Sequence, residues 1–438
     1  MKIMKFGGTS VGSPARMHAL VELVNQKRPV LVVLSAVSGT TNSLVEIANS
    51  LYIGHKSLAK EQILALEKKY TVFVNELFSS EEYKKKGHEL IATHFEYIQS
   101  FTNDLFTVYE ERAILAQGEL ISTALFHYYL QEIKVPSVLL AALNFMRIDE
   151  NDEPDLAYIE EHLKKELAQH STDNIFITQG YICRNAFGEI DNLKRGGSDY
   201  TASLVGAAIY SEEVQIWTDI DGMHNNDPRY VDKTYPIAQL SFDEAAELAY
   251  FGAKILHPSS VFPAMLRNVP VRLLNTMQPS AKGTLICEKP EGANIKAVAA
   301  KDGIVAVKIK SGRMLLAYGF LRNVFEIFER YKTPIDMITT SEVAVSVTID
   351  DIKNLKEIVA ELQKFCTVEV DHDQTIICIV GDFLEEKEGY ALKIFESLKS
   401  IPIRMISYGG SKNNISLLIK KEHKIEALRA LNKGVFEL

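Results

Sequence analysis

The sequence has few cysteines and none in a paired pattern: Cys183, Cys287, Cys366 and Cys378 form no CxxC and no metal-binding spacing. Four thiols scattered over 438 residues read as reduced core side chains, as expected of a cytoplasmic protein. None of the eleven histidines forms an HxxxH or HExxH pair, so no dedicated transition-metal site is expected. Long apolar runs are missing too. Pro29 to Val37 and Val135 to Leu143 fall well short of the roughly 18 residues a membrane span requires. The start, MKIMKFGGTS, carries lysines without the apolar stretch of a signal peptide, so no leader is expected. Positive charge is in short supply: 48 Lys and Arg against 57 Asp and Glu leave a net charge of −9. That balance argues against a nucleic-acid partner, while leaving room for a local basic pocket that holds a small polyanion. Neither a GxxxxGK[ST] loop nor a full GxGxxG fingerprint is present.

What is present is ordinary globular composition, 47% hydrophobic and 24% charged, in a chain long enough for two or three domains. Lys2 to Phe6 reads as a short strand, followed by Gly7-Gly8 and a helix opened by Ser13-Pro14. Pro29 to Leu34 is a β-branched run of the kind buried on both faces of a parallel sheet. Residues 57–112 are rich in Glu, Lys and Leu and predict a hairpin of long helices. Strands are expected again at Ser137 to Ala141, Asn174 to Thr178, Val214 to Thr218 and Val269 to Leu274, with helices between several of them. The alternation predicts an α/β domain over residues 1–293 with a mostly parallel sheet, whose ligands bind beyond the carboxyl ends of the strands. Residues 304–371 and 374–438 each repeat the order strand, helix, strand, strand, helix, strand, the last strand of the second copy being weak. Two small α+β sandwiches are expected there.

Six segments carry the chemistry-bearing residues. In KFGGTS (Lys5 to Ser10), glycines between a strand and a helix let backbone N–H groups approach an anion. Lys5 adds a point charge suited to a phosphoryl group. KRGGSD (Lys194 to Asp199) joins cations, glycines, a hydroxyl and a carboxylate where a helix should start; Asp199 also suits a helix cap. WTDIDGMHNNDPR (Trp217 to Arg229) is a loop rich in turn formers, with acidic groups and an arginine. FGAKILHP places Lys254 near a helix break, where an ordinary surface lysine is the alternative. Gln117-Gly118-Glu119 and Thr41-Asn42 are expected on loops flanking the site.

Taken in this order and spacing, KFGGTSVG, SAVSGTTN, QGEL, KRGGSDYTA, WTDIDGMHNNDPR and FGAKILHP resemble the aspartokinases over essentially the whole chain. The resemblance implies the amino acid kinase fold, an open αβα sandwich, with two C-terminal ACT-like domains. It implies phosphorylation of the L-aspartate side-chain carboxylate by ATP with Mg²⁺, the first step toward lysine, methionine and threonine. By the same resemblance Lys5 and Asp199 are catalytic, and Thr41, Glu119, Arg195 and Ser198 bind substrate. Lys5, Gly7, Gly8, Ser10, Thr218, Asp219, Asp227, Arg229 and Lys254 match nucleotide-binding positions. No metal ligands are assigned to protein side chains.

The ACT-like pair implies feedback by an amino acid, with lysine favoured. Met314, Gly319, Phe320, Leu321, Asp336, Ser341 and Glu342 match effector positions, although Leu316 and Ala317 stand where lysine-sensitive relatives carry polar residues. A homodimer or dimer of dimers through the ACT sheets is implied. The chain runs only to Leu438, so a fused homoserine dehydrogenase is not expected. The alternatives are another carboxylate kinase of the same fold and a non-catalytic amino-acid sensor; loss of Lys5, Asp199 or Arg195 would mark the sensor, and all three are present.

Overall fold

The computed structural model describes residues 1–26, 28–103, 105–170, 174–193, 196–252, 256–291, 295–311, 318–383 and 389–438. It divides into two compact units. The first comprises Met1–Met223, Ala238–Phe242 and Leu256–Pro290, and the second His224–Ile237, Asp243–Ile255 and Glu291–Leu438.

The chain begins with β1 (Lys2–Phe6), α1 (Pro14–Asn25), β2 (Val30–Leu34), α2 (Thr40–Tyr52), α3 (Lys56–Leu77), α4 (Glu81–Ser100) and α5 (Val108–Glu132). It continues through β3 (Ser137–Leu140), α6 (Leu156–Ala168), β4 (Ile175–Gln179), the hairpin β5 (Ile182–Arg184) and β6 (Ile190–Asn192), and α7 (Gly197–Ala208). Then come β7 (Val214–Thr218), β8 (Gln239–Leu240), α8 (Phe242–Phe251), α9 (Phe262–Leu266), β9 (Val271–Asn275) and β10 (Thr284–Ile286). The main sheet has the order β3-β4-β2-β1-β7-β9-β10-β8 and is parallel except where β10 runs against β9. Every residue of β2 is buried, as its unbroken apolar run requires of a central strand. Among the described residues no helix is long and apolar enough to cross a membrane.

Local signals explain the helix boundaries. Ser13 Oγ accepts from Arg16 N, and Pro14 fills the first turn of α1. The excursion expected over 57–112 forms the α3–α4 hairpin, which buries Tyr70, Phe73, Phe95 and Ile98. A break near Arg112 does not occur. Thr107 and Glu110 close a capping box, and α5 then runs uninterrupted to Glu132. Gln117, Gly118 and Glu119 therefore lie within a helix and not on a loop, and Thr41 and Asn42 sit in the first turn of α2. Gly118 serves packing, not turning: a Cβ there would stand 2.8 Å from the Ala36 Cβ. In most helices Gly→Ala is stabilising by about 1 kcal/mol. Here Gly118→Ala is expected to destabilise by about 1–3 kcal/mol through overpacking, read as a lower Tm.

The second unit carries β11 (Ile295–Lys310), α10 (Phe320–Arg330), β12 (Ile338–Thr340), β13 (Ala344–Ile349), α11 (Leu355–Leu362) and β14 (Thr367–Gly381). It ends with α12 (Tyr390–Ser397), β15 (Met405–Tyr408), β16 (Asn414–Lys420) and α13 (Lys424–Phe436). One six-stranded sheet, β12-β13-β11-β14-β16-β15, contains both repeats. Where two short strands were expected on either side of residue 373, β14 is continuous. The weak final strand of the second copy is replaced by the last turns of α13. Its place beside β14 is taken by Ile295–Lys301, the leading half of β11. Each repeat thus packs its own apolar face: Val307, Val324, Phe328 and Ile358 in one, and Ile377, Ile394, Leu417 and Leu428 in the other.

Candidate active site

β1 lies at the centre of the main sheet, with Lys5 in register with Val33 of β2 and Ile216 of β7. The chain turns sharply after it. A Cβ on Gly8 would stand 3.1 Å from Ala36 O, and one on Gly7 would stand 3.4 Å from Lys5 Nζ. The glycines let two strand-end loops and the lysine head share one small space.

Beyond the carboxyl ends of β1, β2, β4 and β7 opens a cleft of about 590 Å³. Its lining includes Gly8 and Thr9, Ser35 through Gly39, Thr41 and Asn42, Glu119, Tyr181, Gly197 and Ser198, and Thr218 and Asp219. Two helices begin at this cleft. α2 starts after Gly39 and α7 after Gly196, both glycines being left-handed with φ of 81° and 72°. Their free N–H groups and positive dipole ends make the cleft receptive to anions.

Lys5 Nζ lies 2.7 Å from Asp199 Oδ1, with both side chains largely buried. Asp199 is in the first turn of α7, whose N-cap is Gly196. Its carboxylate therefore holds a lysine instead of capping the helix. Next to it, Ser35 Oγ donates to Ser198 Oγ at 2.9 Å. Glu119 projects from α5 and accepts from Ala36 N at 3.1 Å. Its other oxygen has no hydrogen-bond partner among the described residues. Burial pushes this carboxyl up to about 8, against the lowering by the Ala36 N–H and the Lys5 charge. A buried acid with one unsatisfied oxygen at a cleft wall is suited to receive a cation.

The structure thus gathers Gly8, Thr41, Glu119, Ser198, Thr218 and Asp219 on the lining, with Lys5, Gly7 and Asp199 immediately beside it. Ser10 points elsewhere: it is buried, and its hydroxyl meets Thr276 Oγ1 at 2.7 Å. Asp227 and Arg229 belong to the second unit, on a loop anchored by Asn226 Nδ2 donating to Leu428 O at 3.0 Å. There Asp227 grips the Arg229 guanidinium at 2.6–3.1 Å, which holds the carboxyl below its usual range despite partial burial. Arg195, Lys254 and Met314 lie outside the described residues, as do Lys194, Leu316 and Ala317.

Of the remaining effector positions, Gly319 caps α10 with φ 85°, Phe320 is buried against Phe365, and Leu321 is 40% exposed. Ser341 N donates to Ala344 O at 2.8 Å, and Glu342 is exposed. Asp336 differs from the expectation of a free ammonium acceptor. Its carboxylate is fully buried, 2.8 Å from Lys301 Nζ, and accepts from Tyr250 Oη at 2.6 Å.

Two lining residues stand out beyond the sequence reading: Ser35, which lies in SAVSGTTN without an assigned role, and Tyr181, which lies in none of the motifs. Tyr181 follows Gly180 at the end of β4 with φ 68°. Gly180 is required because a Cβ there would fall 2.3 Å from Ser198 Oγ. The signal was available: a Gly-aromatic step directly after a buried strand marks another loop at the carboxyl edge.

Comparison with known proteins shows the family. The amino acid kinase family model matches residues 1–275, and an ACT domain model matches residues 377–435. Lysine-sensitive aspartokinase 3 of Escherichia coli K12 is 34% identical over 454 aligned residues, covering 99% of each chain. The crystal structure of E. coli aspartokinase III in complex with aspartate and ADP, described as the R-state, superposes with a TM-score of 0.83 at 32% identity, covering 100% of both chains. The T-state of that enzyme, in complex with lysine and aspartate, gives 0.82 at 32% identity over 100% of this chain and 99% of that one.

Proposed function

Because this chain belongs to the amino acid kinase family as one of its aspartokinases, ATP-dependent kinases of the L-aspartate side-chain carboxylate, we propose that the transfer takes place in the cleft beyond β1, β2, β4 and β7. The observation that carries this placement is the Lys5–Asp199 pair beside a cleft onto which two helix N-termini open. In this reading a carboxylate oxygen of aspartate bonds to the γ-phosphorus as the bond from that phosphorus to the β-phosphate oxygen breaks, releasing ADP. The carboxylate is already ionised at pH 7, so no proton has to be removed. Catalysis then rests on positioning and on charge neutralisation.

Lys5 approaches the transferring phosphoryl oxygens, and Asp199 fixes the lysine head. Gly7 and Gly8 bring the backbone close to the phosphates, with Ser10 bracing that loop through Thr276. Glu119 takes the substrate ammonium, and Arg195, Thr41 and Ser198 take its α-carboxylate. Thr218 and Asp219, on the cleft lining, serve the nucleotide. Among the described residues no three acidic, His or Cys side chains cluster as a metal site. Asp219, exposed on the cleft lining, is the carboxylate that would meet Mg²⁺ carried in with the phosphates, and the ion would neutralise phosphate charge. Four cysteines scattered without a paired pattern fit a reducing, cytoplasmic setting.

The test is coupled ADP release with L-aspartate, L-glutamate or N-acetyl-L-glutamate as acceptor. Turnover with aspartate alone is expected, and ADP release that does not depend on aspartate overturns the reading. Feedback by an amino acid on the ACT domains, with lysine favoured, belongs to the same proposal and is supported by the likeness to a lysine-sensitive relative. Lysine is expected to inhibit the same assay and threonine to do so less. A homodimer or dimer of dimers through the ACT sheets completes it, to be read by sedimentation velocity.

A further inference from the structure

The two repeats of the second unit are related by an approximate two-fold axis that the strand register makes explicit. Exchanging β11 with β14 carries the pair Lys301–Ile376 onto the pair Asp371–Ala306, and both occur. Ile338 pairs with Val347 in one repeat as Ile406 pairs with Leu417 in the other. Asp336 N donates to Thr348 O at 2.9 Å, and Arg404 N donates to Leu418 O at 2.7 Å. The sequences agree, PIDMIT against PIRMIS. Lys301, just before the first repeat, with Asp336 and Asp350 inside it, therefore corresponds to Asp371, just before the second repeat, with Arg404 and Lys420 inside that one.

Every charge in this set is inverted. At the first repeat Lys301 lies 2.8 Å from Asp336 and 2.9 Å from Asp350, one cation between two carboxylates. At the second, Asp371 pairs with Arg404 while Lys420 stands beside them, one carboxylate with two cations. The first cluster is also covered by Tyr250, although Asp336 Oδ2 is buried without a hydrogen-bond partner among the described residues. Tyr250 donates its hydroxyl to Asp336, and Lys301 Nζ stands 4.1 Å above its ring centroid. The corresponding place in the second repeat is a pocket of about 420 Å³ lined by Asp371, Gln374, Pro402, Ile403, Arg404, Lys420 and His423. Gln374 is 5% exposed, and its Nε2 donates to His372 O at 2.7 Å. Its Oε1 is buried and has no hydrogen-bond partner among the described residues. Besides Asp371 on Arg404, the countercharges are exposed: Glu422 lies 3.6 Å from Lys420 and 3.7 Å from His423, and Glu426 lies 3.7 Å from His423.

We propose that this pocket is a ligand site for a small carboxylate that also carries a hydrogen-bond donor, the carboxylate meeting Arg404 and Lys420 and the donor meeting Gln374 Oε1. The inverted charge excludes the ligand polarity of the first repeat, where two carboxylates would repel such an anion. The amide oxygen without a protein partner favours a ligand that brings a donor, because a buried acceptor left without one is costly. The site lies within the ACT repeats and takes no part in phosphoryl transfer.

The test is calorimetric titration of the full chain with L-malate, succinate and inorganic phosphate. L-Malate is expected to bind saturably, and succinate, which lacks the hydroxyl, at least tenfold more weakly. Arg404→Gln and Lys420→Gln are each expected to weaken L-malate at least tenfold, while ADP release in the absence of L-malate stays at the parent rate. Gln374→Leu is expected to erase the difference between L-malate and succinate. Two variants guard against misfolding, since Lys420 makes only an exposed contact. L-Malate binding that both charge variants leave unchanged would place the anion elsewhere and overturn the proposal. Phosphate binding with no carboxylate binding, or no saturable binding at all, overturns it as well.

Discussion

Lys5→Ala is expected to lower kcat for aspartate-dependent ADP release by about 10³-fold, the scale set by removing one preorganised donor from a developing charge. Lys5 sits on the central strand beside the cleft loops, whereas Lys69, which also reaches a cleft loop, donates to Ser38 O at 3.2 Å from α3, and a rigid parallel strand cannot offer a replacement for Lys5. The variant also leaves Asp199 without its partner. A largely buried carboxylate losing its cation costs about 3–5 kcal/mol in the general case. Here the N-terminus of α7 offsets part of that loss, because Asp199 sits in the helix's first turn. Stability and catalysis are therefore separable. The double variant Lys5→Ala/Asp199→Ala should regain most of any Tm lost by Lys5→Ala and none of the turnover. Asp199→Asn, which keeps the lysine but frees its head, should cost about 10²-fold in kcat, the scale of a misplaced catalytic group. Near-parent turnover in Lys5→Ala would remove Lys5 from the transfer step.

The parts of this site that could be read from sequence are those whose local chemistry is self-sufficient. Gly7-Gly8 after the short strand pattern KIMKF and Gly196-Gly197 before a helix announce strand ends and helix starts without reference to anything distant. Glu119 was recognised as a binding residue and misplaced as a loop residue, for an instructive reason. Gly118 looks like a breaker in isolation. Its role is set by Ala36, far away in sequence, which leaves no room for a Cβ where α5 passes the β2 loop. The same holds for the regulatory repeats. Apolar runs identify strands, but pairing partners are non-local, so nothing within residues 432–438 reveals that Ile295–Lys301 occupies the position expected for a final strand. Asp336 carried the right charge to hold an ammonium group. The Lys301 that already occupies it is visible only once β11 is bent beside β13 and the loop before β12.

Glu119→Gln is expected to weaken L-aspartate binding by about 10²-fold or more at pH 8.5, on the general scale of truncating a buried charge pair. The loss should shrink as the pH falls. In the empty cleft, burial holds the Glu119 carboxyl at about 8, so near neutral pH it is mostly protonated. An ammonium group favours the ionised form, so aspartate binding must expel that proton. Below pH 8 the apparent affinity of the parent enzyme should therefore fall tenfold per pH unit, and above it should level off. Titration calorimetry near pH 7 in phosphate and in Tris should show close to one proton released per aspartate bound, and none in Glu119→Gln. The sign for stability runs the other way. The unfolded carboxyl ionises near 4.5 while the folded one keeps its proton to about 8, so the empty protein loses stability across that interval as the pH rises. Glu119→Gln should flatten this loss, and saturating aspartate should offset it most at the alkaline end. A variant with parent proton release and parent affinity would show that the ammonium is held by another group.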